Sequence, residues 1–327
     1  MPPGRDHTRV DMDPVQRPRV TIFGPDPLLS IVIETCGEAD DVHIHAAGQG
    51  VWAARMVAEL GAWPVLCCLA GGETGATLRP LLEALPGEDR IVPTAGASGS
   101  YVTDRRGPER LLLAMARRPP PHRHELDDLV AATCAATLDS AVLVMCNPYP
   151  GDGLPEEVYE TVAGAARAGG VPVIADLSTP RLDHALRAGV DLVKLNDWEL
   201  AEYVSGPVDG PLALVAARRL LEAGAGTVVV TRAEAPILVA PSDGEPFEIV
   251  PPAFPHGFHE GCGDAMTGAI AAACARGMPL REALVLGAAA GSGNFLRHGL
   301  GSGRRDVVEE LAGHVVVRPF AAAGHAA

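Results

Sequence analysis

The stretch His259-Glu260-Gly261-Cys262-Gly263-Asp264-Ala265-Met266-Thr267-Gly268-Ala269, HEGCGDAMTGA, poses the question on which the fold turns. Two glycines flank a cysteine, a carboxylate follows, and a run of small apolar residues reads as a helix. One reading makes Asp264 an N-cap whose oxygen accepts from the orphan N–H groups of the first turn. The other gives those N–H groups to a phosphate and lets the carboxylate take a proton. The motif alone fits both, and the rest of the chain decides between them.

The chain has 327 residues, 47% hydrophobic and 20% charged, enough for a large core in one big domain or two. A net charge of −15 argues against a nucleic-acid surface and against adsorption to anionic lipid. Only 4% of residues are aromatic, so base-stacking platforms are not expected. The seven cysteines show no metal spacing, and their odd number without a framework predicts reduced thiols in a cytoplasm. No apolar run approaches a membrane span, and the Pro- and Arg-rich start has no apolar signal-peptide core. Lys194 is the only lysine in a chain that otherwise uses arginine. It marks either an Arg-rich background or a place where a compact ammonium is needed.

Continuous apolar runs without polar alternation recur at 20–24, 65–70, 141–146, 171–176, 192–196 and 227–232. They predict strands buried on both faces. Helical patterns at 51–60, 156–168 and 211–223 lie among them, two of them opened by Pro155 and Pro211 and followed by glycine. Alternation of strand and helix implies an α/β fold with a mainly parallel sheet. Two regions break it: 28–46 holds short β-like pieces, and 98–115 reads as a hairpin turning at Gly107-Pro108. Together they predict a small second sheet, serving as a lid or a dimer surface. Open parallel sheets bind ligands at the carboxyl ends of their strands. Here those ends carry Asp176, Lys194 to Asn196, and Thr231-Arg232.

Asn196-Asp197-Trp198-Glu199 sets an amide and a carboxylate three residues apart. The pair can organise a hydrated Mg²⁺, or it can form a capping box. Residues 46–61, AAGQGVWAARMVAELG, open a helix through a glycine turn. As a dinucleotide fingerprint this lacks its third glycine. It fits equally a plain helix entry, or a backbone cradle for sugar hydroxyls with Gln49 as the side-chain contact.

These residues resemble the ribokinase-like, PfkB-type carbohydrate kinases, nearest to the 1-phosphofructokinase and tagatose-6-phosphate kinase branch. GCGD at 261–264 is similar to the G-A-G-D signature, and KLNDWEL at 194–200 to K-P-N-x-x-E-L. AGQGVWAARMVAELG is similar to the G-G-K-G-x-N element, and residues 288–303 to the carboxy-terminal nucleotide-side element. The resemblance implies a ribokinase-like three-layer α/β/α core with a mainly parallel sheet and a small β-sheet lid. Residues 20–317 would form the kinase domain, with lid segments at about 28–46 and 98–115; 1–19 and 318–327 would be loose tails. It implies transfer from Mg·ATP to a sugar hydroxyl, with Asp264 as base and Gly261, Cys262 and Gly263 as anion hole. Lys194, Asn196, Thr231, Arg232, Gly263 and Asn294 would face the nucleotide, and Asn196 and Glu199 would organise Mg²⁺. Asp26, Gly48, Gln49, Gly50, Trp52, Arg105 and Arg106 would serve the acceptor. A homodimer through the lid is implied, with no nucleic-acid or membrane partner.

The departures fall on the acceptor side. Gln49 replaces the family's lysine, Trp52 its asparagine and Ala47 its first glycine, and Asp26 only approximates the aspartate after the first strand. GASGS at 96–100 stands where the phosphosugar branch carries arginine, with Arg105, Arg106 and Arg110 nearby. A phosphosugar would therefore lose partners here. A nucleoside kinase, or a binding protein on the same fold without turnover, remains an alternative.

Overall fold

The first strand, β1 (Arg19–Phe23), is buried on both faces: Val20 and Ile22 point to one side of the sheet, Thr21 and Phe23 to the other. A computed structural model of the chain describes residues 17–107, 110–149, 151, 153–233 and 235–320. Beside β1 lie β4 (Trp63–Gly71) and then β5 (Glu88–Thr94) on one hand. On the other come β8 (Val142–Cys146), β9 (Val173–Asp176), β10 (Val190–Asn196) and β11 (Ala225–Arg232). These seven strands pair in parallel. An antiparallel meander of β12 (Ala235–Pro241), β13 (Phe247–Val250) and β14 (Val316–Pro319) completes a ten-stranded sheet.

The doubled burial explains why the strand sequences do not alternate. On one face Val20, Ile22, Leu66 and Val144 pack under α1 (Gln49–Glu59), α8 (Cys262–Ala275) and α9 (Leu280–Phe295). On the other, Phe23, Leu143, Met145 and Val193 pack under α3 (Arg123–Leu138), α4 (Glu157–Ala168), α5 (Arg181–Ala188) and α7 (Pro211–Glu222). The small residues of α8 let it sit close against α1: a Cβ at Gly268 would lie 2.5 Å from the Ala53 carbonyl oxygen.

A second sheet of four strands runs β3 (Ala39–Ala47), β2 (Leu28–Cys36), β6 (Ser100–Asp104), β7 (Leu111–Ala116). The β2–β3 and β6–β7 pairs are antiparallel, and β2 pairs β6 in parallel. Its two faces differ. Ser30, Glu34, His43, His45, Tyr101 and Met115 line cavities toward the core, while Val42, Ile44 and Leu111 on the other face are about half exposed.

Two boundaries differ from the sequence reading. Arg318 and Pro319 are not part of a tail but pair with β13, where Arg318 meets Glu248 at 2.9 Å. The amino-terminal tail ends by Pro18, whose carbonyl accepts from Trp63 N–H, and Arg19 already belongs to β1. The rest of both expected tails, and Pro108 of the hairpin turn, fall outside the described residues. No helix among the described residues is long and apolar enough to cross a membrane.

Candidate active site

Sheet order reverses at β1: the chain moves from β1 outward to β4, then returns to β8 on the opposite side. Such a switch point opens a crevice at the carboxyl ends of the two strands. Asp26, three residues past β1, and Asn147, directly after β8, both line a cleft of about 490 Å³ there. Gln49, Trp52 and Asp264 line the same cleft, and Tyr101, Thr103 and Met115 of the small sheet close it from above.

Asp264 is not an N-cap. Gly261, in the left-handed region at φ 77°, caps α8, and Asp264 is its third helical residue. No side chain caps the helix; Cys262 N–H donates to the His259 carbonyl at 3.3 Å, and the remaining first-turn N–H groups and the positive end of the dipole are left for an anion. Burial, and then the neighbouring Asp176 carboxylate, push the Asp264 carboxyl up to about 7, against the opposing pull of Lys194 and a hydrogen bond from Gln49. Gln49 is held by its other end: its Oε1 accepts from the Asn147 N–H at 2.5 Å. Asn147 is itself fixed by a reciprocal pair of bonds with Ser178.

Beneath the helix start lies the sole lysine. Lys194 Nζ donates to Asp176 Oδ2 at 3.0 Å, and both side chains are almost fully buried. Thr267 Oγ1 donates to the same carboxylate oxygen at 2.6 Å. Burial alone lowers the ammonium's proton affinity, but Asp176, Asp264 and Glu199 around it outweigh that and raise it. Lys194 therefore stays charged. A Cβ at Gly263 would lie 2.6 Å from Nζ, so Gly263 is the residue that lets the helix start rest on the lysine.

Asn196 and Glu199 form a reciprocal capping box on α6 (Asp197–Val204), each side chain accepting from the other's backbone N–H at 2.8 Å. Burial, and then Asp176, raise the Glu199 carboxyl. Asp176, Asp264 and Glu199 thus surround one ammonium, while no three His, Cys, Asp or Glu side chains among the described residues converge as a metal cage, so a dication there would rely on its own waters. The donor set is hard oxygen, which suits Mg²⁺ with most of its waters retained. Thr231 pairs with Asn196 in register at the neighbouring strand end.

Several sequence-predicted residues do other work. Arg232 turns to the sheet edge, where it donates to the Pro236 carbonyl and meets Glu248 at 2.8 Å. Asn294 is fully buried and braces two loops, donating to the Glu260 carbonyl and accepting from the Ser302 N–H. Arg106 lies outside the cleft, paired with Asp104 and Asp40. Gly50 answers to close packing, since a Cβ there would lie 2.7 Å from Gly24 Cα, and Gly48 supplies the φ of 110° that starts α1. Arg105 turns to the exposed loop at 298–300, donating to the His298 carbonyl at 3.0 Å.

Sequence reasoning missed Arg118, which pairs with buried Asp26 at 3.0 Å, and it also missed Asn147 and Thr267. It named Asp176 only as a strand end. No local pattern announces these residues, because their partners are far away in the chain.

Residues 33–306 match the pfkB family carbohydrate kinases. The chain is 28% identical over 306 residues to an ATP-dependent 6-phosphofructokinase isozyme 2 of Mycobacterium tuberculosis, covering 90% of this chain and 89% of the relative. It is 32% identical over 253 residues to a 1-phosphofructokinase of Rhodobacter capsulatus, covering 73% and 76%. A solved structure of phosphofructokinase-2 from Escherichia coli with fructose-6-phosphate shares the fold at TM-score 0.75 and 24% identity, covering 91% of this chain and 98% of that one. The chain belongs to the pfkB family carbohydrate kinases.

Proposed function

We propose that this carbohydrate kinase transfers the γ-phosphoryl group of Mg·ATP to a hydroxyl of a sugar or sugar-like polyol, with Asp264 as the base. The observation that carries the reading is a carboxyl pushed up to about 7 in the first turn of an uncapped helix, facing a cleft. A base is most effective when its proton affinity lies near the working pH. The ATP dependence in the name of the Mycobacterium relative supports the donor.

Asp264 takes the proton of the acceptor hydroxyl, held in place by the Gln49 amide. The N–H groups of residues 261–263 and the Lys194 ammonium hold the phosphoryl oxygens as negative charge grows on them. Asp176 and Thr267 fix Lys194 and the start of α8 relative to one another. Asn196 and Glu199 would hold Mg²⁺, which when bound would supply charge neutralisation on the transferring group. Asp26, oriented by Arg118, and the wall of Trp52 receive the acceptor. The small sheet acts as a lid over that acceptor. Its outward Val42, Ile44 and Leu111 form the surface on which a second copy docks as a homodimer.

The test is ADP release by the purified chain with Mg·ATP over a panel of neutral sugars, phosphosugars and nucleosides. Acceptor-dependent ADP from a sugar is expected. Turnover confined to nucleosides, or none with any acceptor despite ATP binding, refutes the reading.

A further inference from the structure

Behind the acceptor cleft lies a second cavity of about 220 Å³, between the inner face of the small sheet, α1 and the loop at 298–300. Trp52, Tyr101 and Arg110 form a wall common to both spaces. Arg55, Arg105 and Arg110 all face this second cavity, as do His43, His45 and His298; Glu34 is the one carboxylate among its lining residues.

One guanidinium there has no carboxylate partner among the described residues. Arg55 donates only to the carbonyl oxygens of Ala46 and Leu300, at 2.9 and 3.3 Å, and no carboxylate pairs with it among the described residues. Burial draws down its proton affinity, and burial together with Arg55 also lowers that of His45. Arg105 lies within ion-pair range of Glu34 at 3.5 Å and Glu260 at 3.7 Å, yet its Nη2 is buried without a hydrogen-bond acceptor. Arg110 is paired with Glu260 at 2.7 Å. The Tyr101 hydroxyl, on a residue 6% exposed, also has no partner.

Buried cations are ordinarily paired, and a buried hydroxyl or guanidinium N–H left unsatisfied is costly. Here an unpaired guanidinium, an orphan guanidinium N–H and an orphan hydroxyl converge on one small space. An oxyanion satisfies all three at once: it accepts from Tyr101 and Arg105 and neutralises Arg55. We propose that this cavity is an anion site for a phosphate-class group, separate from the transfer position at Asp264. The group is either the far end of an acceptor that passes the Trp52 wall or a free effector. The chemistry at the site is the same in both cases.

Calorimetric titration with inorganic phosphate tests the site, with and without a saturating non-hydrolysable ATP analogue and Mg²⁺ to fill the helix start of α8. Saturable binding with a dissociation constant of about 1 mM or tighter is expected in both conditions. Tyr101→Phe removes one oxygen from a protein that otherwise keeps its packing, and should weaken phosphate roughly tenfold. Arg55→Met should abolish binding; if that variant does not fold, Tyr101→Phe decides alone. In turnover, competition of phosphate against the acceptor assigns the site to the acceptor's far end, and noncompetitive inhibition assigns it to an effector. Absence of saturable binding, or an unchanged constant in Tyr101→Phe, overturns the proposal.

Discussion

Replacing Asp264 by Asn should make the protein more stable and nearly inactive at the same time. The folded protein holds this carboxyl at about 7, against an ordinary value of 3.8, because it is buried beside Asp176. Three pKa units correspond to roughly 4 kcal/mol. The sign follows from proton binding. Between about pH 4 and 7 the folded state keeps a proton that the unfolded state has lost, so stability falls as pH rises through that window. Above pH 7 the wild-type protein carries the full cost of a buried carboxylate. Asp264 keeps partial contact with cleft water, which relieves part of that cost, so about 2 kcal/mol is the expected gain from an uncharged isostere. The amide retains an oxygen to accept from Gln49. For a chain of this size the gain is about 3 °C in Tm at pH 8; it should shrink to roughly a third of that at pH 5 and vanish only below about pH 4, where the unfolded carboxyl is protonated too. Turnover should fall by about 10²–10⁴ through loss of the base. Thermal melts without ligand at both pH values, beside steady-state rates at pH 8, measure both effects. A Tm difference independent of pH, or a rate within about tenfold of wild type, refutes the reasoning.

Lys194→Arg keeps the charge but puts a planar fork where Gly263 leaves room only for an ammonium; kcat/KM for ATP should fall by about 10²-fold or more in steady-state assays. Arg118→Met leaves Asp26 buried without its ion-pair partner, so the denaturation free energy from urea melts should drop by roughly 3 kcal/mol. Ile44→Glu places a charge on the exposed apolar face of the small sheet, and light scattering after gel filtration should show a dimeric wild type and a folded monomeric variant. A wild type that is already monomeric would remove the docking role of that face.

The six central strands were legible because a strand covered on both faces must be apolar throughout, as VLVMC and TVVV are. The small sheet was legible from its short β-like pieces and the turn residues of its hairpin, not from a buried apolar face: in VHIH it is Val42 and Ile44 that face outward. The edge strand β5, EDRIVPT, was not, since an edge needs few apolar residues and tolerates charge and proline. The same holds for β14, whose VVRP looked like a tail until Glu248 and β13 gave it partners. In the site, the helix start at Asp264 and the strand end at Lys194 announce themselves locally through glycine, charge and position. The ion pair of Asp26 with Arg118 spans 92 residues, and the bond from Thr267 to Asp176 spans 91, and no window of sequence contains either. Arg105 and Arg106 show the limit most sharply. They are neighbours in sequence, yet one reaches the distant loop at 298–300 and the other pairs outside the cleft.

Gln49 links these observations to the chemistry. Its amide joins the backbone of Asn147, at the end of β8, to the side chain of Asp264, at the start of α8. The proposed base is therefore anchored across the switch point by a neutral group. An ammonium in that place would add a second cation to the one Lys194 already presents, and would draw the Asp264 carboxyl down from neutrality. A base with less affinity for the hydroxyl proton assists its departure less. With an amide there, the Lys194–Asp176 pair sets the charge around Asp264: Lys194 pulls its proton affinity down while Asp176 pushes it up. The residue that departs most plainly from the resembled pattern thus acts on the proposed base itself. Its effect on acceptor choice is the loss of one cation from the cleft, whose remaining positive charge lies with Arg110 and with the arginines of the cavity behind Trp52.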